Sequence, residues 1–216
     1  MSYRLAIFDL DGTVLDTIDD LTASVNWALT ASSLPTRSRE EVLRFVGNGI
    51  KRLVELSLPQ GEQDAFDRVF ADFKVHYALH AADRTKPYAG VCDMLSALRA
   101  AGVRLAVLSN KADGAVQSLV NTYFEGVFHT VMGERENEGV KRKPAPDAVY
   151  AILDAHGVTP AEAVYIGDSD VDIMTARNAG LDAILVTWGF RSAAFLREKG
   201  AATLVDHPEQ LLSLIL

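Results

Sequence analysis

The sequence predicts an α/β fold: a doubly wound, Rossmann-like parallel sheet core with a helical domain inserted after the first strand. Three observations lead there. Short apolar runs rich in β-branched residues recur along the chain, at lengths that suit buried strands. Amphipathic helical stretches separate most of them, and that alternation builds parallel sheets. One long segment, between Asp16 and about Asp83, breaks the alternation with helical periodicity alone.

The expected strands are Arg4–Phe8, Val103–Ser109, Thr130–Met132, Val164–Gly167, Ala183–Thr187 and Thr203–Val205. Helices between them show in the spacing of apolar residues and in a closing glycine. Val91, Met94, Leu95 and Leu98 run to Gly102, Ala148, Ile152 and Leu153 to Gly157, and Ile173 and Ala176 to Gly180. Within the inserted segment Ile18, Leu21, Val25, Ala28 and Leu29 form one stripe, and Phe66, Val69, Phe70, Phe73 and Tyr77 form another. The expected division is therefore residues 1–15 and 84–216 as the α/β core and 16–83 as a helical subdomain.

Composition narrows the function. Hydrophobic residues make up 49% and charged residues 23% of 216, the balance of a globular protein with a substantial core. The net charge is −8, from 21 Lys+Arg against 29 Asp+Glu, and no dense basic run appears. This excludes nucleic acid and anionic membranes as expected partners. The single cysteine, Cys92, excludes an internal disulfide and is expected as a small buried thiol. Strand pattern beginning at Leu5 leaves no room for a leader, and no apolar run could span a bilayer, so a cytoplasmic monomer or homodimer is expected.

The chemistry lies at the strand ends. The first strand runs into Asp9-Leu10-Asp11-Gly12-Thr13. Two carboxylates at the carboxyl end of a buried strand are costly unless compensated, and that edge is where open α/β sheets bind ligands. On their own they could simply cap a turn before Gly12. The second strand ends in Ser109-Asn110-Lys111, bringing a hydroxyl and an amide to the same edge. Lys143-Pro144-Ala145-Pro146-Asp147 sets a lysine before a helix start, and Gly167-Asp168-Ser169-Asp170-Val171-Asp172 follows the strand that begins at Val164. In this order the four stretches are far more specific than any one of them.

DLDGT, SNK, KPAPD and GDSDVD together resemble the four signature motifs of haloacid dehalogenase (HAD) superfamily phosphatases, and they cover the whole α/β part. The resemblance implies a Mg²⁺-dependent enzyme hydrolysing a small-molecule phosphate monoester through an aspartyl-phosphate intermediate. It makes Asp9 nucleophile and metal ligand, and Asp11 general acid/base with its backbone carbonyl on the metal. Ser109, Asn110 and Lys143 would hold phosphoryl oxygens, Asp168 would ligate Mg²⁺, and Asp172 would orient water on the metal. The residue chemistry agrees: a carboxylate with an ordinary pKa of about 4 is ionised at neutral pH, and a hard cation and a lysine lower its repulsion from phosphate. Asp11 also argues against dehalogenation, where no leaving alkoxide needs a proton. The helical insertion resembles the family's cap for small substrates. Phe45–Leu53, PYAGV and Thr187-Trp188-Gly189-Phe190 resemble the phosphoglycolate phosphatase branch, which makes Asn48, Lys51 and Arg52 candidate substrate contacts.

Rival readings are a HAD pyrophosphatase, nucleotidase or sugar-phosphate phosphatase or phosphomutase. More distant is a serine esterase built on Gly167-Asp168-Ser169 with Asp206-His207-Pro208, or a phospho-receiver module. The esterase would leave Asp9, Asp11 and Lys143 unexplained, and the receiver lacks a helical insertion. Lys111 and Lys141 are expected as solvated charges, Asp170 as a helix cap, His76 and His80 as a solvent-facing pair, and Trp27 and Trp188 as packing residues.

Overall fold

The computed structural model describes residues 3–216. It divides into two compact units, one formed by the chain up to Leu15 with Pro87–Leu216 and the other by Asp16–Lys86.

The first unit holds a six-stranded sheet of β1 (Leu5–Phe8), β4 (Arg104–Ala112), β5 (Thr130–Glu134), β6 (Ala163–Gly167), β7 (Asp182–Val186) and β8 (Thr203–Val205). Two-residue strands β2 (Leu15–Asp16) and β3 (Lys86–Pro87) lie where the chain leaves this unit and returns. The spatial order is β5-β4-β1-β6-β7-β8, every pair parallel. The expected strands are thus all present, with β4 running past Ser109 to Ala112.

The alternation of side chains splits the core into two faces. Ala6 and Phe8 of β1, Leu105 and Val107 of β4, and Val164 and Ile166 of β6 share one face with α5 (Val91–Ala100), α6 (Asp113–Phe124) and α10 (Gln210–Ile215). Leu5, Ile7, Ala106, Leu108, Ala163 and Tyr165 share the other with α7 (Asp147–His156) and α8 (Asp170–Ala179). A short α9 (Ala193–Glu198) packs Leu196 with Leu185 and Ile173. All four residues of β1 are fully buried, and Leu5, Ile7 and Phe8 each contribute on the order of 1.5–3 kcal/mol. Because β4 and β6 flank β1 on opposite sides, the connections reverse there, and the carboxyl ends of strands at such a reversal are where sheets of this kind bind ligands.

Cys92 corrects an expectation: it is exposed. The buried stripe of α5 is Val91, Met94, Leu95 and Leu98, and position 92 lies one step round the helix from it.

The second unit contains α1 (Ile18–Ala31), α2 (Arg39–Phe45), α3 (Gly49–Ser57) and α4 (Phe66–His80). Ile18, Leu21, Val25, Ala28 and Leu29 are buried as the stripe predicts. Asp20 accepts from the Arg84 and Thr85 backbone N–H groups and from the Thr85 hydroxyl, tying the start of α1 to the end of the unit. Ser24 Oγ lies 2.9 Å from His76 Nδ1, and the His76 ring stacks on both Trp27 and His80. Both histidines are half-buried, His76 within this stack and His80 also paired with Asp83 at 2.8 Å. No helix of the described residues is long and apolar enough to cross a membrane.

Candidate active site

Asp9 follows β1 directly, and its backbone N–H donates to the Ile166 carbonyl at 2.8 Å, extending the β1–β6 pairing by one residue. The chain then turns sharply. Leu10 O accepts from Val14 N (3.1 Å) and Leu15 N (3.0 Å), while Gly12, at φ +86°, donates to Leu15 O at 2.8 Å. Only glycine fits here, because the conformation is left-handed and a Cβ would collide with the Asp168 carboxylate. Trp188 fixes the same turn by donating its indole N–H to Thr13 O at 3.0 Å, which gives that ring the packing role expected of it.

Three carboxylates, Asp9, Asp168 and Asp172, converge here, each with an oxygen within 4.8 Å of the others. All three are buried. Their hydrogen bonding differs. Asp9 Oδ1 accepts from Leu10 N at 2.7 Å and pairs with Lys143 Nζ at 2.9 Å. Asp168 Oδ2 accepts from Phe190 N at 2.6 Å, and its Oδ1 lies 3.4 Å from the Thr13 hydroxyl. Asp172 Oδ2 accepts from Ser169 Oγ (2.6 Å), Ser169 N (3.1 Å) and Asp168 N (3.2 Å), and its Oδ1 accepts from Lys143 Nζ (2.8 Å) and Tyr165 Oη (3.3 Å).

Burial drives the electrostatics. It pushes the Asp9 carboxyl up to about 7, against the pull of Lys143 and helped by repulsion from Asp172 and Asp11. Asp168 is raised well above the usual range by burial and by the charges of Asp172 and Asp9. Burial alone would lower Lys143, but the adjacent Asp172 and Asp9 carboxylates outweigh it and hold the ammonium well above its ordinary value. Such an acidic cluster with a single lysine carries uncompensated negative charge. Its oxygen-only donor set fits a hard divalent cation.

Ser109 is buried near the carboxyl end of β4, its Oγ accepting from Lys111 N at 3.2 Å. Asn110 points its amide elsewhere, donating to the Lys143 carbonyl at 3.1 Å. Two expectations are corrected. Lys111 is not a solvated charge: it is 5% exposed, and its Nζ lies 2.6 and 2.8 Å from the two oxygens of Asp11. Asp170 is not the cap of α8. Ser169 occupies that position in a capping box with Asp172, because Ser169 still has extended backbone while Asp170 is already helical. Tyr165 is a further member that lies outside the motifs, because it looks like an ordinary strand residue, and Thr13 of the first motif joins it.

Asn48, Lys51 and Arg52 lie in the second unit at the start of α3, all exposed, with Arg52 paired to Glu55 at 3.1 Å. The esterase elements do not assemble: the Ser169 hydroxyl is committed to Asp172, and the Asp206 carboxylate accepts from Thr187 Oγ1 at 2.6 Å.

A parallel sheet with an acidic cluster, a buried lysine and a hydroxyl at its central carboxyl edge defines a phosphoryl-transfer type of hydrolase. The family comparison agrees: residues 6–186 match the haloacid dehalogenase-like hydrolase family, and the chain belongs to it. Among curated relatives, phosphoglycolate phosphatase 1 of Pseudomonas aeruginosa is 32% identical over 97% of this chain and 78% of its own length. The phosphoglycolate phosphatase of Thiobacillus denitrificans is 33% identical over 87% of this chain and 84% of its own. A crystal structure from Lactobacillus delbrueckii subsp. bulgaricus, provisionally named phosphoglycolate phosphatase, superposes with a TM-score of 0.93 at 40% identity, covering 100% and 99% of the two chains.

Proposed function

We propose that the chain is a Mg²⁺-dependent phosphatase of small phosphorylated acids, with phosphoglycolate as the favoured substrate. The observation that carries the chemistry is the convergence of Asp9, Asp168, Asp172 and Lys143 in one buried cluster. The substrate class is supported by the relatives named for phosphoglycolate.

Asp9 and Asp168, with the Asp11 backbone carbonyl, would hold the metal. Mg²⁺ would supply positive charge against the phosphate dianion. Asp172, with both oxygens occupied by protein donors, orients Lys143 and the loop that carries Asp168. An Asp9 oxygen attacks phosphorus as the ester P–O bond breaks, and Asp11 delivers a proton to the departing alkoxide. Water then attacks phosphorus, Asp11 takes its proton, and the Asp9–phosphorus bond breaks to release inorganic phosphate. Lys143 and the Ser109 hydroxyl stabilise the charge on the transferring group. Asn110 supports them by holding the Lys143 backbone.

The test is a screen of small phosphomonoesters with Mg²⁺ present and absent. Phosphoglycolate should rank among the best substrates, and hydrolysis should depend on the metal. Turnover no faster than that of generic phosphomonoesters would refute the narrow substrate assignment, and full activity in EDTA would refute the mechanism.

A further inference from the structure

Lys111 is a buried cation to which the mechanism above gives no task. A buried ammonium is costly unless an anion sits against it. Here that anion is Asp11, which offers both oxygens at 2.6 and 2.8 Å. Lys111 lies two residues after Ser109 near the carboxyl end of β4, and its backbone N–H donates to the Ser109 Oγ at 3.2 Å. It therefore stands at the same sheet edge as the phosphate-facing hydroxyl, on the side where Asp11 would meet the leaving group.

This arrangement has a consequence for substrates. To address the ester oxygen, the Asp11 carboxyl must turn away from Nζ, at least with one oxygen. The lysine would then be buried without its full counter-charge. A leaving alcohol that carries its own anion removes that penalty. In phosphoglycolate the carboxylate is separated from the ester oxygen by one methylene carbon, so both groups can reach the Lys111–Asp11 pair together.

We propose that Lys111 is a specificity-determining residue that takes the anionic group of the leaving alcohol in exchange for Asp11. This rests on the phosphatase reading and on Asp11 facing the leaving group. The exchange couples recognition to chemistry: the acid substituent occupies the lysine, and Asp11 is released to the ester oxygen. A neutral alcohol leaves Asp11 held on Nζ.

The experiment compares kcat/KM for phosphoglycolate and for ethyl phosphate, with Mg²⁺, in the wild type, Lys111→Met and Lys111→Arg. Phosphoglycolate should lose rate in Lys111→Met, whereas ethyl phosphate should lose little, because Asp11 is no longer held on Nζ. The ratio of phosphoglycolate to ethyl phosphate should fall by about tenfold to a hundredfold, the scale of a lost charge-assisted hydrogen bond. Lys111→Arg should recover part of that ratio. If thermal unfolding shows Lys111→Met to be misfolded, Lys111→Gln, which keeps a donor for Asp11, carries the same comparison. A wild-type preference that survives in the variant, or an equal loss on both substrates, overturns the proposal while leaving the phosphoglycolate assignment standing. A wild type with no preference for phosphoglycolate overturns both.

Discussion

Replacing Asp9 by Asn should abolish turnover and at the same time stabilise the metal-free fold. The magnitude follows from the site. Burial, with Asp172 and Asp11 nearby, raises the Asp9 carboxyl from 3.8 to about 7. Between those values the folded chain keeps a proton that the unfolded chain has lost, so wild-type stability falls as pH rises through this window. At pH 8 the full difference is on the order of 4 kcal/mol. The asparagine amide must still fit beside Lys143, which reduces the gain to about 2–3 kcal/mol, equivalent to a melting temperature raised by about 5–10 °C in a chain of this size. At pH 5 wild-type Asp9 is largely protonated when folded, and the advantage should shrink by half or more. Thermal unfolding in EDTA at pH 8 and pH 5, with phosphatase assays on the same samples, tests this. An Asn variant no more stable than wild type at pH 8, or a gain independent of pH, would refute the electrostatic account. Activity within about tenfold of wild type would remove Asp9 as nucleophile.

Asp11→Ala should slow both chemical steps, but less so for aryl phosphates, whose leaving groups need little protonation. An unchanged dependence of rate on leaving-group basicity would show that Asp11 is not the general acid. Chelation of Mg²⁺ should abolish activity reversibly and lower the melting temperature more at pH 8 than at pH 5, with Ca²⁺ a poor replacement because its coordination is larger and looser. Equal melting temperatures with and without Mg²⁺ at pH 8 would contradict binding at the acidic cluster.

The parallel sheet was legible because its strands are buried on both faces, so each appears as an apolar run whatever its neighbours are. The signature aspartates stood out for the opposite reason: charge at the end of such a run has no packing explanation. What the motifs did not reveal depends on geometry across the chain. Lys111 and Asp11 are 100 residues apart, and nothing local distinguishes this lysine from a surface one. Cys92 was misjudged because composition favours buried thiols, whereas the helical phase set by Val91 and Leu95 turns it outward. Asp170 looked like a cap by residue type, but Ser169 takes the position because the capping box needs its hydroxyl and the Asp172 carboxylate three residues on.

Asp172 allows a test in which the same substitution should give the opposite sign. It shares Lys143 with Asp9, at 2.8 and 2.9 Å respectively. Yet Asp9→Asn relieves a charge that the site tolerates poorly, while Asp172→Asn removes one that the site is built around. One Asp172 oxygen accepts from two backbone N–H groups and the Ser169 hydroxyl, and the other from Lys143 and Tyr165. An amide must turn its NH₂ toward one of these sets, placing donor against donor in a fully buried position. Lys143 is left with weaker compensation as well. Breaking a buried pair of this kind costs about 3–5 kcal/mol, so Asp172→Asn should lower the melting temperature by about 6–20 °C. Measured in EDTA at pH 8, the two Asp→Asn variants should move in opposite directions from wild type. If both stabilise the fold, Asp172 belongs with Asp9 among the charges awaiting a cation, and its role as the anchor of Lys143 is wrong.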